Sequence, residues 1–465
     1  QEMNQICRRK ITLTLVLILT ILSVQLAVAE TISYTQAIED AEYLWEKLET
    51  VHPNLYFETP KKEAEDRFQS IIGAIEAKEK WSRLELYRLL APFVASFKDG
   101  HTFIAINQEF LHYADNGGKV FPLMVEVDKG KLIVVENLSG RNPATGEEII
   151  SVNGRGAGEI YGSMTDLIGA GRQSFVEAKA SRNFPIFLWA LYDFSGPFEV
   201  TYQAETGERK TKTLRGMSVS NYREKKHAKR GKSELNWDLY FPGNDVGLLT
   251  INTFAGNLED EFKGFIKDSF REIKERETKK LIIDLRENGG GSTKLSDYLY
   301  RFVSGKPFRT FAEVRVKYSD PVLKERTIYN PITLFKVKVL GDRTIVHKNG
   351  YEKPPGTKLR FDGELYLITG PVTFSTAANF AALIKDVGAG TIAGEETGGL
   401  ASSYGDIFKL NLPNSGLNFG VSYKYFLRPA GFDDGRGVIP DVFLPDEPIS
   451  HYQGKDALLN ELLAK

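Results

Sequence analysis

The chain has 465 residues, 42% hydrophobic and 26% charged, an ordinary folded composition that excludes a collagen, a coiled coil and a disordered tail. Its 60 Lys+Arg and 61 Asp+Glu leave a net charge of −1, so no global pull toward nucleic acid or anionic lipid exists. The single cysteine excludes an internal disulfide framework and a cysteine-clustered metal site, and the length suits about three domains.

Arg8, Arg9 and Lys10 precede an almost wholly apolar run, Ile11 to Leu26, and Ala27-Val28-Ala29 follows as a small-x-small site. That order predicts a signal peptide over 1–29, cleaved after Ala29 so that the mature chain starts at Glu30. The alternative, an uncleaved anchor, is disfavoured because the run is shorter than the about 20 residues a span requires. Cleavage removes Cys7, which suits an oxidising compartment and excludes a cysteine nucleophile. The expected location is periplasmic or secreted, with no membrane span in the mature chain.

Residues 30–104 read as a helical N-terminal region. Ile38, Ala41, Leu44, Trp45, Leu48 and Val51 recur at helical spacing, and His52-Pro53 ends that helix. Further stripes run through Phe68–Ile75 and Leu86–Phe97, the latter with Pro92 as a kink. Over 105–220 the period changes to two. Val120–Val127, Lys131–Val135, Glu147–Val152 before an Asn153-Gly154 turn, and Phe198–Tyr202 read as strands. Gly146 to Gly154 resembles the G-[DE]-x-I-x-x-[IV]-N-G hallmark of a PDZ module, although 161–194 is more helical than such a module needs. Residues 221–244 hold a basic run, Arg223 to Lys232, that reads as a solvated linker; nucleic-acid binding is not expected from it because no aromatics interleave. From 245 to 465 strand and helix patterns alternate: Gly247–Phe254, Phe262–Ile273, Leu281–Leu285, Lys294–Val303, Glu364–Thr369, Thr376–Asp386 and Thr391–Ala393. That alternation predicts an α/β core.

Two turns of this core carry chemistry. Asp284-Leu285-Arg286-Glu287-Asn288-Gly289-Gly290-Gly291 follows a fully apolar strand and opens a helix. Such a turn can present N–H groups to phosphate or to an oxyanion, but neither G-K-[ST] nor G-x-G-x-x-G is present. Gly370 to Ala378 also joins strand to helix and sets Ser375 at a helix N-terminus, where a plain N-cap serine is the ordinary occupant. In parallel sheets ligands bind beyond the carboxyl ends of strands, so both turns can face one crevice. Of the six histidines, His52 reads as structural beside Pro53, and His112, His227, His347 and His451 sit in polar, loop-like or terminal contexts. His101 lies in a turn where helix becomes strand, with Asp99 and Thr102 near enough in sequence to fix its tautomer.

The ordered set F-x-D-G-H-T (Phe97–Thr102), D-L-R-x-N-G-G-G (Asp284–Gly291), T-x-S-x-A-A (Thr373–Ala378), G-x-x-T-G-G (Gly394–Gly399) and G-V-x-P-D (Gly437–Asp441) resembles the C-terminal-processing (tail-specific) serine peptidases, and more closely their tricorn-like branch. The resemblance implies an α/β fold with a crotonase/Clp-protease-like core, an N-terminal helical region and an inserted PDZ-like β-rich domain. It implies a serine peptidase without cofactor or metal, and with the expected signal peptide an exported one acting on protein or peptide substrates in the cell envelope. Carried over by position, Ser375 is the nucleophile. The lysine base of the processing branch is replaced by Leu400, and neither Lys385 nor Lys409 lies in the matching motif. The tricorn-like branch uses a histidine that matches His101, and its orienting acid, three residues before Gly437, matches Asp434; Asp433 and Glu396 are rivals. Gly290 and Thr376 N–H groups would hold the oxyanion. A catalytically inert, peptide-binding relative and a crotonase-like acyl-CoA enzyme are the competing readings, the second disfavoured by the signal peptide.

Overall fold

Serine caps open the first region. Ser33 and Ser82 each form a reciprocal capping box with the residue three positions on, Gln36 and Glu85. They start α1 (Tyr34–Val51) and, beyond α2 (Lys61–Glu76), α3 (Arg83–Ala95). His52 caps α1 in extended conformation, as the following proline requires. The computed structural model describes residues 31–140, 142–230, 235–243, 245–325, 335, 337–339, 344–446 and 455–464. The expected leader and its cleavage site lie outside them.

The β-rich insert is an antiparallel sheet of β1 (Leu123–Asp128), β2 (Lys131–Asn137), β3 (Glu148–Val152), β4 (Phe198–Gln203) and β5 (Arg209–Leu214), in the order β5-β4-β3-β2-β1. Pro122 precedes β1, and Lys119–Val120 is a separate short strand, so the expected single strand is divided. Asn153 (φ 48°) and Gly154 (φ 77°) form the expected turn. The helical stretch includes α4 (Gln173–Arg182) and α5 (Phe184–Tyr192). As far as Arg230 the basic run is not a loop but α6 (Val219–Arg230), built from residues that form helices well when exposed and fixed by Val219 and Tyr222 packing on the insert; its end at Lys232 lies outside the described residues.

The core sheet runs β6 (Trp237–Tyr240), β7 (Val246–Ile251), β8 (Lys280–Asp284), β11 (Glu364–Thr369), β12 (Thr391–Gly394), β15 (Val442–Phe443), in that spatial order. All neighbours are parallel except β6–β7. Leu281 and Ile283 face α7 (Glu259–Glu275), α8 (Thr293–Val303) and α9 (Thr376–Asp386). Ile282 faces the other side, covered by α10 (Ala457–Ala464). This two-sided burial explains the uninterrupted apolar strand. The chain is thus α/β in its core. A second, antiparallel sheet, not expected from the sequence, has the order β10-β9-β14-β13: β9 (Glu313–Lys317), β10 (Thr344–Lys348), β13 (Ser403–Asn411) and β14 (Asn418–Leu427). The short strand Phe103–Ile104 adds to β14 and so carries the Asp99–Thr102 turn to the core. No helix among the described residues is long and apolar enough to cross a membrane.

Candidate active site

The neighbouring parallel strands β8 and β11 end side by side, and their turns are tied together. Thr373 Oγ1 donates to the Leu285 carbonyl (2.9 Å) and accepts the Gly370 N–H (3.0 Å). The Phe374 N–H donates to the Asn288 carbonyl (3.1 Å), and Thr376 Oγ1 to the Gly291 carbonyl (2.7 Å). Ser375 then sits at φ 52°, ψ −127°, a region that costs a non-glycine residue about 1–3 kcal/mol. Its side chain makes no cap bond to α9, so it is not the ordinary N-cap serine. Two glycines allow this bend. A Cβ on Gly290 would lie 2.7 Å from Ser375 Cβ, and one on Gly399 would lie 2.9 Å from Ser375 N.

Ser375 Oγ meets His101 Nε2 at 3.1 Å. His101 reaches it because Lys98 turns the chain at φ 57° and Gly100 has no side chain to strike the Phe374 ring. Phe374 stacks on the imidazole at 4.7 Å, and Phe175 of α4 stacks on the far face of Phe374 at 4.5 Å. The Nδ1 edge lies against the Tyr404–Gly405 backbone, where the Tyr404 carbonyl favours the protonated ring. Burial outweighs this. It moves His101 below the ordinary histidine range, aided by Lys179 and opposed by Asp99 and Asp406. The imidazole is therefore the neutral base form at neutral pH.

The two expected oxyanion donors differ. Thr376 is the first residue of α9, and its N–H lacks an intrahelical acceptor. The Gly290 N–H donates to Asn288 Oδ1 at 2.8 Å, while Asn288 Nδ2 donates to the Ile251 carbonyl at 2.9 Å. Asn288 is fully buried; its motif alone assigns it no role, and its place between an apolar strand and a run of three glycines is the sequence signal for it.

Asp434 is not brought to the imidazole. It accepts the Arg436 N–H at 3.2 Å and lies 3.7 Å from Arg428. The Arg428 guanidinium and the Arg436 backbone N–H attract this carboxylate more strongly than a neutral ring does. Asp433 accepts from the Tyr425 hydroxyl (2.5 Å), and Glu396 pairs with Arg172 and Arg436. None of the three hydrogen-bonds to His101. Among the described residues no cluster of His, Cys, Asp and Glu is arranged to hold a metal ion. The cleft holding Ser375 and His101 is walled by Phe57, Leu400, Tyr404 and Arg172, with a free volume of about 30 Å³.

Residues 245–444 match the model of peptidase family S41. Among solved structures, mature CPAF complexed with lactacystin superposes with a TM-score of 0.65 at 15% identity, over 93% of this chain and 97% of that one. Mature CPAF alone gives 0.64 at 16%, over 93% and 96%. At such identity the likeness concerns the fold. No curated protein sequence matches.

Proposed function

We propose that this chain, whose residues 245–444 match the model of peptidase family S41, is a serine peptidase that hydrolyses peptide bonds through Ser375 and His101. The observation that carries this reading is the 3.1 Å contact between Ser375 Oγ and His101 Nε2, made from a serine held out of its ordinary capping conformation. His101 takes the hydroxyl proton as Ser375 attacks the carbonyl carbon. The Thr376 N–H faces the charge developing on oxygen, and the Gly290 N–H joins it once released by Asn288. His101 then protonates the leaving amine, and water attacks the acyl-enzyme by the same route. Asp434 would orient His101 only after its contacts with the Arg428 guanidinium and the Arg436 backbone N–H open.

The histidine base, with Leu400 in the lysine position, supports the tricorn-like branch. The antiparallel insert with its Asn153-Gly154 turn supports a PDZ-like module, and the parallel sheet flanked by helices a crotonase/Clp-like core. Export to the periplasm or the exterior, and protein or peptide substrates there, rest on the expected leader. Casein hydrolysis and fluorophosphonate labelling of the protein and of Ser375→Ala test the reading. Loss of both activities in the variant supports it; unchanged hydrolysis in Ser375→Ala refutes it.

A further inference from the structure

Asp99 stands out among the groups around His101. It is 5% exposed and does not touch the imidazole. Its Oδ1 accepts the His101 backbone N–H at 3.1 Å. Its Oδ2 accepts the hydroxyls of Thr102 and Ser422, both at 2.6 Å, and faces His52 Nε2 at 3.3 Å. Thr102 Oγ1 in turn accepts the Ser422 N–H at 3.1 Å. One carboxylate thereby joins the end of α1, the turn bearing His101 and strand β14.

His52 is equally constrained. It is 1% exposed. Its Nδ1 accepts the Asn54 N–H at 3.1 Å, which leaves the proton on Nε2, directed at Asp99. Its ring packs on Phe57 and at 4.6 Å on Tyr404, the residue whose carbonyl faces His101. A histidine kept only as apolar filler needs neither a fixed tautomer nor a buried carboxylate.

The charged groups facing the His101 ring are Asp99, Asp406 and Lys179. Asp406 is paired with Lys424 at 2.5 Å, which neutralises much of its effect. Asp99 accepts from the Thr102 and Ser422 hydroxyls, the His101 N–H and His52 Nε2, and among the described residues no Lys or Arg side chain is salt-bridged to it in this buried site. Burial pushes its carboxyl up, but His52, the neighbouring His101 ring and the Ser422 hydroxyl together hold it well below the usual range. An imidazolium forming on His101 is a favourable neighbour for that charge.

We propose that Asp99 and His52 are positioning residues of this site: the His52-held Asp99 carboxylate fixes the turn carrying His101 and supplies the negative charge that steadies the imidazolium. The proposal rests on the Ser375–His101 reading. It assigns to a residue two positions before the histidine the electrostatic part of the role that the family resemblance implies for Asp434.

The test is the pH dependence of turnover on one peptide substrate, with thermal melting alongside, for Asp99→Asn and His52→Gln. Asp99→Asn keeps the shape and removes the charge. It is expected to lower kcat by about 10- to 100-fold, the equivalent of one to two pH units of imidazolium stabilisation, with KM within twofold. Its acid limb moves to lower pH, because the protonated imidazole has lost its partner charge. His52→Gln keeps a donor to Asp99 but loses the fixed tautomer, and is expected to lower kcat by about 3- to 10-fold with KM and melting preserved. Asp99→Asn with parental kcat and acid limb, or with a change in KM alone, overturns the proposal. If Asp99→Asn does not melt cooperatively, His52→Gln decides: parental kcat overturns it and the stated loss supports it. Ser375→Ala retaining hydrolysis would instead sink the underlying site reading, which separates the two failures.

Discussion

Gly290→Ala adds one methyl group where the two active-site turns touch. Gly290 has φ 103°, which costs alanine about 1–3 kcal/mol. The new Cβ would stand 2.7 Å from Ser375 Cβ, 2.9 Å from the Phe374 carbonyl oxygen and 3.0 Å from Thr376 N. None of these can rotate away, so overpacking adds about 1–3 kcal/mol, for about 2–6 kcal/mol together. Relief requires Ser375 to retreat from His101 or from the new methyl, and a displacement near 1 Å costs about 100-fold in rate. The neighbouring Gly289 is a built-in control: nothing lies within 4 Å of its Cβ position, and its φ is not positive. Peptide hydrolysis, fluorophosphonate labelling and thermal melting should therefore show Gly290→Ala about 100-fold less active and several degrees less stable. Gly289→Ala should stay within about threefold and within about 0.5 kcal/mol. Activity retained in Gly290→Ala, or equal loss in both variants, would refute the claim that close approach of the turns positions the nucleophile.

Since burial lowers His101 and the neutral ring is the active form, activity should fall on acidification only below the ordinary histidine value of about 6.5; a stopped pH–rate profile with its acid limb above 7 would contradict this. His101→Ala should cut kcat/KM by about 1,000-fold or more while leaving the melting temperature within a few degrees, whereas Lys385→Ala and Lys409→Ala should stay near parental activity. Asp434→Asn should cost less than about tenfold, because its carboxylate faces Arg428 and Arg436; a loss above 100-fold in steady-state kinetics would restore it to the orienting role. Mass spectrometry of natively expressed protein should find Glu30 at the N-terminus, and an intact leader would remove the argument for export.

Local pattern was enough for the elements that depend on near neighbours. The end of α1 at His52-Pro53, the Asn153-Gly154 turn and the apolar β8 all follow from short-range sterics and burial period. So does Ser375 at the start of α9, and His101 in a turn between helix and strand. The basic run was misread because polarity alone does not separate a solvated loop from a solvated helix; Val219 and Tyr222 decide that by what they pack on. The second antiparallel sheet holds a local β13–β14 hairpin, but its assembly is not legible along the chain, because β9 pairs with β14 and Phe103–Ile104 with Phe419–Gly420 across long stretches. Only tertiary structure brings Ser375 within 3.1 Å of a histidine 274 positions earlier, since that distance is set by sheet register and by three glycines that admit close approach. Only it turns Ser375 out of its capping conformation, gives the Gly290 N–H to Asn288, and sets Asp434 against Arg428. A carboxylate takes whichever donors the fold sets nearest, and spacing along the chain does not record which those are.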